Sequence, residues 1–167
     1  MISMRRHAFT LIELLVVISI IGLLSTVAVV ATNSARKNAR NARRIADVKQ
    51  LVTAFNTALN LGGGTYPSTG GDVWVCVSSV CTGNFAFGNN AGVDAFFTPY
   101  MPTKPTDPTD SNARTATGYV YDGAWPGNAS FPAGSYLNYL LELPATCGVG
   151  ALFNTTTSYV QCLVQLQ

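Results

Sequence analysis

Apolar positions fall into three regimes along this chain. Over residues 9–32 they run almost without a break, through LIELLVVISIIGLLSTVAVVA, and Glu13 is the only ionisable side chain. As a helix, that stretch rises about 1.5 Å per residue to about 36 Å, enough for a hydrocarbon core of roughly 30 Å. Over residues 33–61 the pattern becomes periodic, without Pro or Gly and with much Ala, which predicts that the same helix runs on. Ile45, Val48, Val52, Phe55 and Leu59 recur there at spacings of three and four and line one stripe, the seam expected against the chain's own head. Arg36, Arg40, Arg43, Arg44 and Asp47 gather on a second side, read as a solvated or intersubunit face, with contact to lipid phosphates as the functional alternative. Ala35, Ala39, Ala42 and Ala46 make a third, smooth strip where another helix can come close. Gly62-Gly63-Gly64 predicts the helix stop, because glycine supplies the left-handed conformations that a stop requires.

Beyond Tyr66 the chain turns to Gly, Thr, Ser, Asn, Pro and aromatics. Short β-type runs occur at residues 73–77, 119–121, 136–143 and 158–166, and turn-rich segments at 88–92 and 125–128 separate them. Strands that follow one another without intervening helices predict an antiparallel sheet, its apolar face on the helix stripe. Residues 94–97 fit one short extra helical turn. The fold class is α+β: a long N-terminal helix packed on a small antiparallel β-sheet head.

Charge refines this picture. Eight of the ten basic residues lie at or before Lys49, and the remainder of the chain holds Lys104 and Arg114 against six acids. The head is therefore mildly acidic and offers no basic surface for nucleic acid. His7 is the only histidine, no Ser sits in a Gly-x-Ser-x-Gly setting, and the glycine runs lack the Lys-Ser/Thr of a phosphate loop. An enzymatic reading finds no support in these residues, and no cofactor is expected. Asp107, Asp110 and Asp122 are the candidates for a Ca²⁺ site, but so sparse a set of oxygens reads better as turn-capping carboxylates. Four cysteines allow three pairings. Cys76 and Cys81 can close a small loop, and Cys147 with Cys162 brackets the final segment, so 76–81 and 147–162 is the preferred pairing. A four-thiolate zinc site is the competing reading, for which Cys147 and Cys162 lack a tight second knuckle. Paired cystines imply an oxidising compartment outside the cytoplasmic membrane.

Glu13 is the anomaly. An acidic side chain at the centre of a membrane-crossing helix costs about 2.5–3.5 kcal/mol, less near an interface, and no Lys or Arg lies inside the segment to offset it.

The hexad Ala8-Phe9-Thr10-Leu11-Ile12-Glu13, after the short basic leader at residues 1–8, resembles the processing site of type IV prepilins and type II secretion pseudopilins. The resemblance implies cleavage by a prepilin peptidase between Ala8 and Phe9, where the family usually has Gly before the cut, and N-methylation of Phe9. It also implies a partner for Glu13: the amine on Phe9 of a neighbouring subunit, so that the two charges meet only on assembly. Residues 46–51 leading to Thr65-Tyr66-Pro67, and Pro105-Thr106-Asp107-Pro108, are similar to pseudopilin patterns in the same order. The missing helix Pro fits pseudopilins too, whereas the Cys147–Cys162 segment looks like the disulfide-bounded end of type IV pilins.

The organisation implied is a leader at 1–8, a transmembrane and assembly helix at 9–32, its amphipathic continuation at 33–61, and an extracytoplasmic head at 62–167. The expected function is that of a structural subunit of a type IV-like filament, closest to a pseudopilin. Its expected partners are further copies of itself, the prepilin peptidase, the membrane and an inner-membrane assembly platform. The precursor would be a single-pass protein of the cytoplasmic (inner) membrane with its head outside the cytoplasm, and the mature chain would join an extracytoplasmic or surface filament. The alternatives are a surface pilin serving adhesion, motility or DNA uptake, and a membrane-tethered ligand-binding module. The bias of basic residues toward the positions after the apolar run would by itself put the head in the cytoplasm; the cysteines and the leader argue the other way.

Overall fold

The computed structural model describes residues 9–62, 64–108 and 116–167. The chain divides into two compact units, Met1–Asn38 and Ala39–Gln167. Helix α1, Leu11–Gly62, is unbroken. In the first unit its side chains are exposed on every side, as in Leu11, Ile18, Leu24 and Val30. Serine and threonine do not interrupt it: Ser19, Ser25 and Thr32 each donate a hydroxyl to the carbonyl four residues back, which satisfies the polar group within the helix itself.

In the second unit α1 buries Asn41, Arg44, Val48, Leu51, Ala54, Phe55 and Ala58. Of the predicted stripe, Val48 and Phe55 lie at its centre while Ile45, Val52 and Leu59 are half-buried flanks. Ala54 and Ala58 take the middle of the face, because their small side chains let the head approach the helix backbone. The basic side is corrected more sharply: Arg44 is fully buried and Arg40 half-buried, so these two face the head rather than solvent or lipid phosphate. The Gly stop has a specific geometry. Gly64 adopts φ +93° and its N–H reaches back to Leu59 O at 3.1 Å, the six-to-one bond that closes a helix end. Gly63 lies outside the described residues.

The main sheet has strand order β1-β4-β5-β7-β6, with β1 Val75–Cys76, β4 Val120–Trp125, β5 Gly134–Glu142, β6 Ala151–Thr155 and β7 Tyr159–Gln165. All its pairings are antiparallel. A second, two-stranded ladder pairs β2, Thr82–Gly83, with β3, Ala116–Thr117. Strands β2, β3 and β6 were not expected: the first two are two-residue pairings, and β6 is an edge strand exposed at every position. The extra helix is longer than expected. Helix α2, Ala91–Phe97, starts inside the Gly-Asn-rich turn because the Asn90 side chain accepts from the N–H groups of Gly92 and Val93, a side-chain N-cap.

Period-two alternation sorts the strands. Leu137, Tyr139, Leu141, Val160, Cys162 and Val164 face α1 and pack with Val48, Leu51 and Phe55. Phe55 is the centre, its ring 4.8 Å from Tyr121, 5.1 Å from Phe97 and 5.9 Å from Phe96. Buried tyrosines carry their hydroxyls to partners at the core's edge: Tyr121 donates to Pro67 O at 2.8 Å and Tyr139 to Val149 O at 2.7 Å. Cys76 is bonded to Cys81, and Cys147 to Cys162.

Phe55→Ala removes the ring that joins α1, α2 and β4. It is expected to cost about 3–5 kcal/mol, read as a lower urea midpoint for the head, while Leu59→Ala, on the half-buried flank, costs less.

Candidate functional site

Two constellations of polar groups stand out, one in each unit. The first is the start of α1. Thr10 precedes the helix and Glu13 is its third residue, and the two exchange bonds. The Thr10 N–H and hydroxyl both donate to Glu13 Oε2 at 2.8 Å, and the Glu13 N–H donates to Thr10 Oγ1 at 3.3 Å. This is a capping box, which satisfies two of the N–H groups that a helix start leaves unpaired. The signal lay in the sequence, Thr-x-x-Glu before an apolar run, and the charge-based reading of Glu13 missed it. The acid therefore has a local partner within its own chain. It is only half used: among the described residues Oε1 accepts no hydrogen bond. Phe9, 89 % exposed, precedes the box, and Ala8, the other side of the expected cut, lies outside the described residues.

The second constellation is in the head. Arg44 donates from Nε to Asp107 Oδ1 at 2.7 Å, from Nη1 to Glu142 Oε1 at 2.7 Å and from Nη2 to Pro108 O at 2.7 Å. Arg40 holds the same Glu142 in a bidentate pair at 2.7 and 2.6 Å. Asn41 bridges helix and strand, donating to Glu142 O and accepting from the Glu142 N–H. Asp107 in turn accepts from the Gly118 N–H at 2.8 Å. Gly118 is glycine for two reasons: its φ is +106°, and a Cβ there would come within 2.8 Å of Ser78 Oγ and Val80 O. The cluster thus ties α1, the Pro105–Pro108 segment, β3's exit and the end of β5 at one place.

Buried charges of this kind need both pairing and hydrogen bonds. Burial alone would raise the Glu142 carboxyl, but the bonds and charges of Arg40 and Arg44 outweigh it and hold the group down to about 2. Burial likewise disfavours the charge on Arg44, and its two carboxylate partners more than offset that, raising it above the ordinary range. Nearby, burial pushes the Asp47 carboxyl up against the bond it accepts from the Tyr119 hydroxyl at 2.9 Å.

Of the candidate Ca²⁺ ligands, Asp107 is committed to Arg44 and Gly118, Asp122 Oδ1 accepts from Thr69 Oγ1 and the Ala124 N–H, and Asp110 lies outside the described residues. Asp107 and Asp122 are thus held in separate networks, and no three His, Cys, Asp or Glu side chains among the described residues converge on a metal position. All four cysteines are in disulfides, so none is left as a thiolate for zinc.

Comparison with known proteins bears on the first constellation. Residues 3–29 match the family model for the prokaryotic N-terminal methylation motif. The chain carries a prepilin-type methylation segment. Neither the curated proteins nor the solved structures give a match to it. The motif and the capping box overlap, and the helix they begin is long and apolar enough, by length and composition, to cross a membrane. Together these are the features of a membrane-anchored precursor of type IV pilin or pseudopilin type, and the motif implies processing by a prepilin peptidase.

The head cluster makes a pH prediction. Glu142 titrates near 4.5 when unfolded and near 2 when folded, so its stabilisation is fully present above about pH 4.5 and is lost as pH falls toward 2. Asp47, shifted upward, acts in the opposite sense and does not contribute to that acid loss. Urea midpoints should therefore fall steeply between about pH 4.5 and about pH 2. Glu142→Gln should lower stability by about 3 kcal/mol near neutrality and flatten the acid limb.

Proposed function

We propose that the chain is a structural subunit of a type IV-like filament, stored in the cytoplasmic membrane as a precursor with its head outside, cut between Ala8 and Phe9, and N-methylated on Phe9. The observation that carries this reading is the half-used carboxylate of Glu13 at the start of an apolar helix that is exposed on every side. A single copy satisfies one oxygen through Thr10. The other is free to take a cation brought by a second copy, and cleavage creates one on Phe9, close to the helix start. Charge-assisted bonds of that kind are roughly twice as strong as neutral ones, and more so where water is excluded. Packing the apolar halves of many copies side by side then removes their exposed side chains from lipid or water.

Within that class the reading is pseudopilin-like. The support is the Pro105-Thr106-Asp107-Pro108 segment, whose Asp107 anchors the loop to Arg44, and a helix with no Pro between Leu11 and Gly62. A surface pilin is the second reading, favoured by the Cys147–Cys162 bond that ties the segment before β6 to the middle of β7.

Mass spectrometry of the mature chain from the envelope tests the proposal. The expected product begins at Phe9 and carries one extra methyl group on its amine; a chain that keeps Met1 through Ala8 in the mature pool would overturn it.

A further inference from the structure

The sheet face turned away from α1 is not simply solvated. It carries a concave site of about 200 Å³, lined by Asn138 and Leu140 of β5, Tyr159 and Gln161 of β7, and the aromatic Trp74, Phe85 and Phe87. The exposed Asn84 also lines it. No charged side chain among the described residues lines it.

Its polar groups are only partly used. Asn138 is 5 % exposed, and its Oδ1 accepts from Gln161 Nε2 at 3.2 Å. Among the described residues Asn138 Nδ2, Gln161 Oε1 and the whole Asn84 amide have no hydrogen-bond partner. The Asn138 nitrogen is not among the fully enclosed side-chain atoms of the described residues that lack a hydrogen bond, so it keeps some access to solvent. It faces the pocket. Water satisfies such a group until a ligand that reproduces its hydrogen bonds displaces that water.

We propose that this pocket binds the ring of a neutral saccharide. The volume is below the roughly 300 Å³ at which sites for drug-sized ligands begin, which suits one ring and not a chain. The bonded amides of Asn138 and Gln161 leave one donor, Asn138 Nδ2, and one acceptor, Gln161 Oε1, for a ligand, the complement of hydroxyls that accept and donate. The aromatic walls offer apolar faces to the C–H side of the ring. Among the described residues a phosphate or carboxylate ligand would find no cation here, and an aliphatic chain would leave the amides unpaired. The aromatic surface also continues outward: Trp74 lies 6.3 Å from Trp125, which lies 6.0 Å from Phe153 and 6.2 Å from Phe131. A second sugar unit would rest on that strip. The assignment is independent of whether the chain polymerises.

The test uses the full chain in a zwitterionic detergent with no sugar headgroup, titrated with methyl glucopyranoside, methyl galactopyranoside and N-acetylglucosamine. Glucuronate and cyclohexanol serve as the charged and the apolar control. Side-chain amide resonances of Asn138 and Gln161, with tryptophan fluorescence, report binding. At least one neutral sugar should saturate with a dissociation constant on the order of millimolar. Gln161→Ala and, at the more exposed wall, Phe87→Ala should each weaken it roughly tenfold, while Phe153→Ala leaves the single-ring ligand unaffected. The proposal is overturned if none of the three sugars saturates up to roughly 100 mM. It is equally overturned if cyclohexanol or glucuronate binds as tightly as the best sugar, or if both pocket variants bind it as the wild type does.

Discussion

One helix has to satisfy two environments, and that constraint explains most of the chain. Its first unit exposes apolar side chains all round, with polar hydroxyls folded back onto the helix carbonyls. Its second unit is one-faced and ends its buried side in charge. The change of regime is made by substitution along a single stripe: Asn41, Arg44, Val48, Leu51, Phe55 and Ala58 follow one another at alternating spacings of three and four. Apolar members of that stripe pack on the sheet, and the two polar members at its upper end bind Glu142 and Asp107. Removing one partner from such a buried set costs more than the pair contributes, because a charge is left behind in a medium that cannot solvate it. The cluster therefore fixes where along the helix the head is seated, since Arg44 fits only where both carboxylates meet it.

Much of this was legible in the residues. The length and apolar character of the helix, its glycine stop and the antiparallel head follow from local pattern alone. What was not legible came from pairings distant in sequence. Arg44 reads as one of a group of basic residues until Glu142 and Asp107, 98 and 63 positions away, are known to lie against it. A clue existed in the spacing: Asn41 and Arg44 continue the Val48–Leu51–Phe55 stripe and so had to face the head. Strand β6 was hidden for a different reason. Every residue of β6 is exposed, so no buried face marks it in the sequence and only pairing with β7 makes this segment a strand. A register shift between Leu152 and Asn154 accompanies Phe153's place against Trp125 and Phe131.

At the helix start Glu13 has a local partner in Thr10 that its charge alone does not reveal. Glu13 is both a capping residue and an acid in an apolar run. The capping role needs only a hydrogen-bond acceptor at that position, whereas the proposed recruitment of a second copy needs the negative charge. Thr10 offsets part of the cost of the acid in a lone molecule and leaves Oε1 without a bond among the described residues, as the proposed assembly requires. The Arg44, Glu142 and Asp107 bonds close within the second unit, so the seating of the head on its part of the helix needs no second copy.

The two roles of Glu13 separate in one substitution. Glutamine at position 13 keeps the capping box, because Gln serves there as Glu does, but removes the charge. The decisive measurement is the amount of sheared polymer formed by Glu13→Gln, with cleavage and methylation of Phe9 checked in the same cells. The account predicts a processed, methylated chain that stays in the membrane and yields little or no polymer. Polymer at the wild-type level from that variant would contradict it.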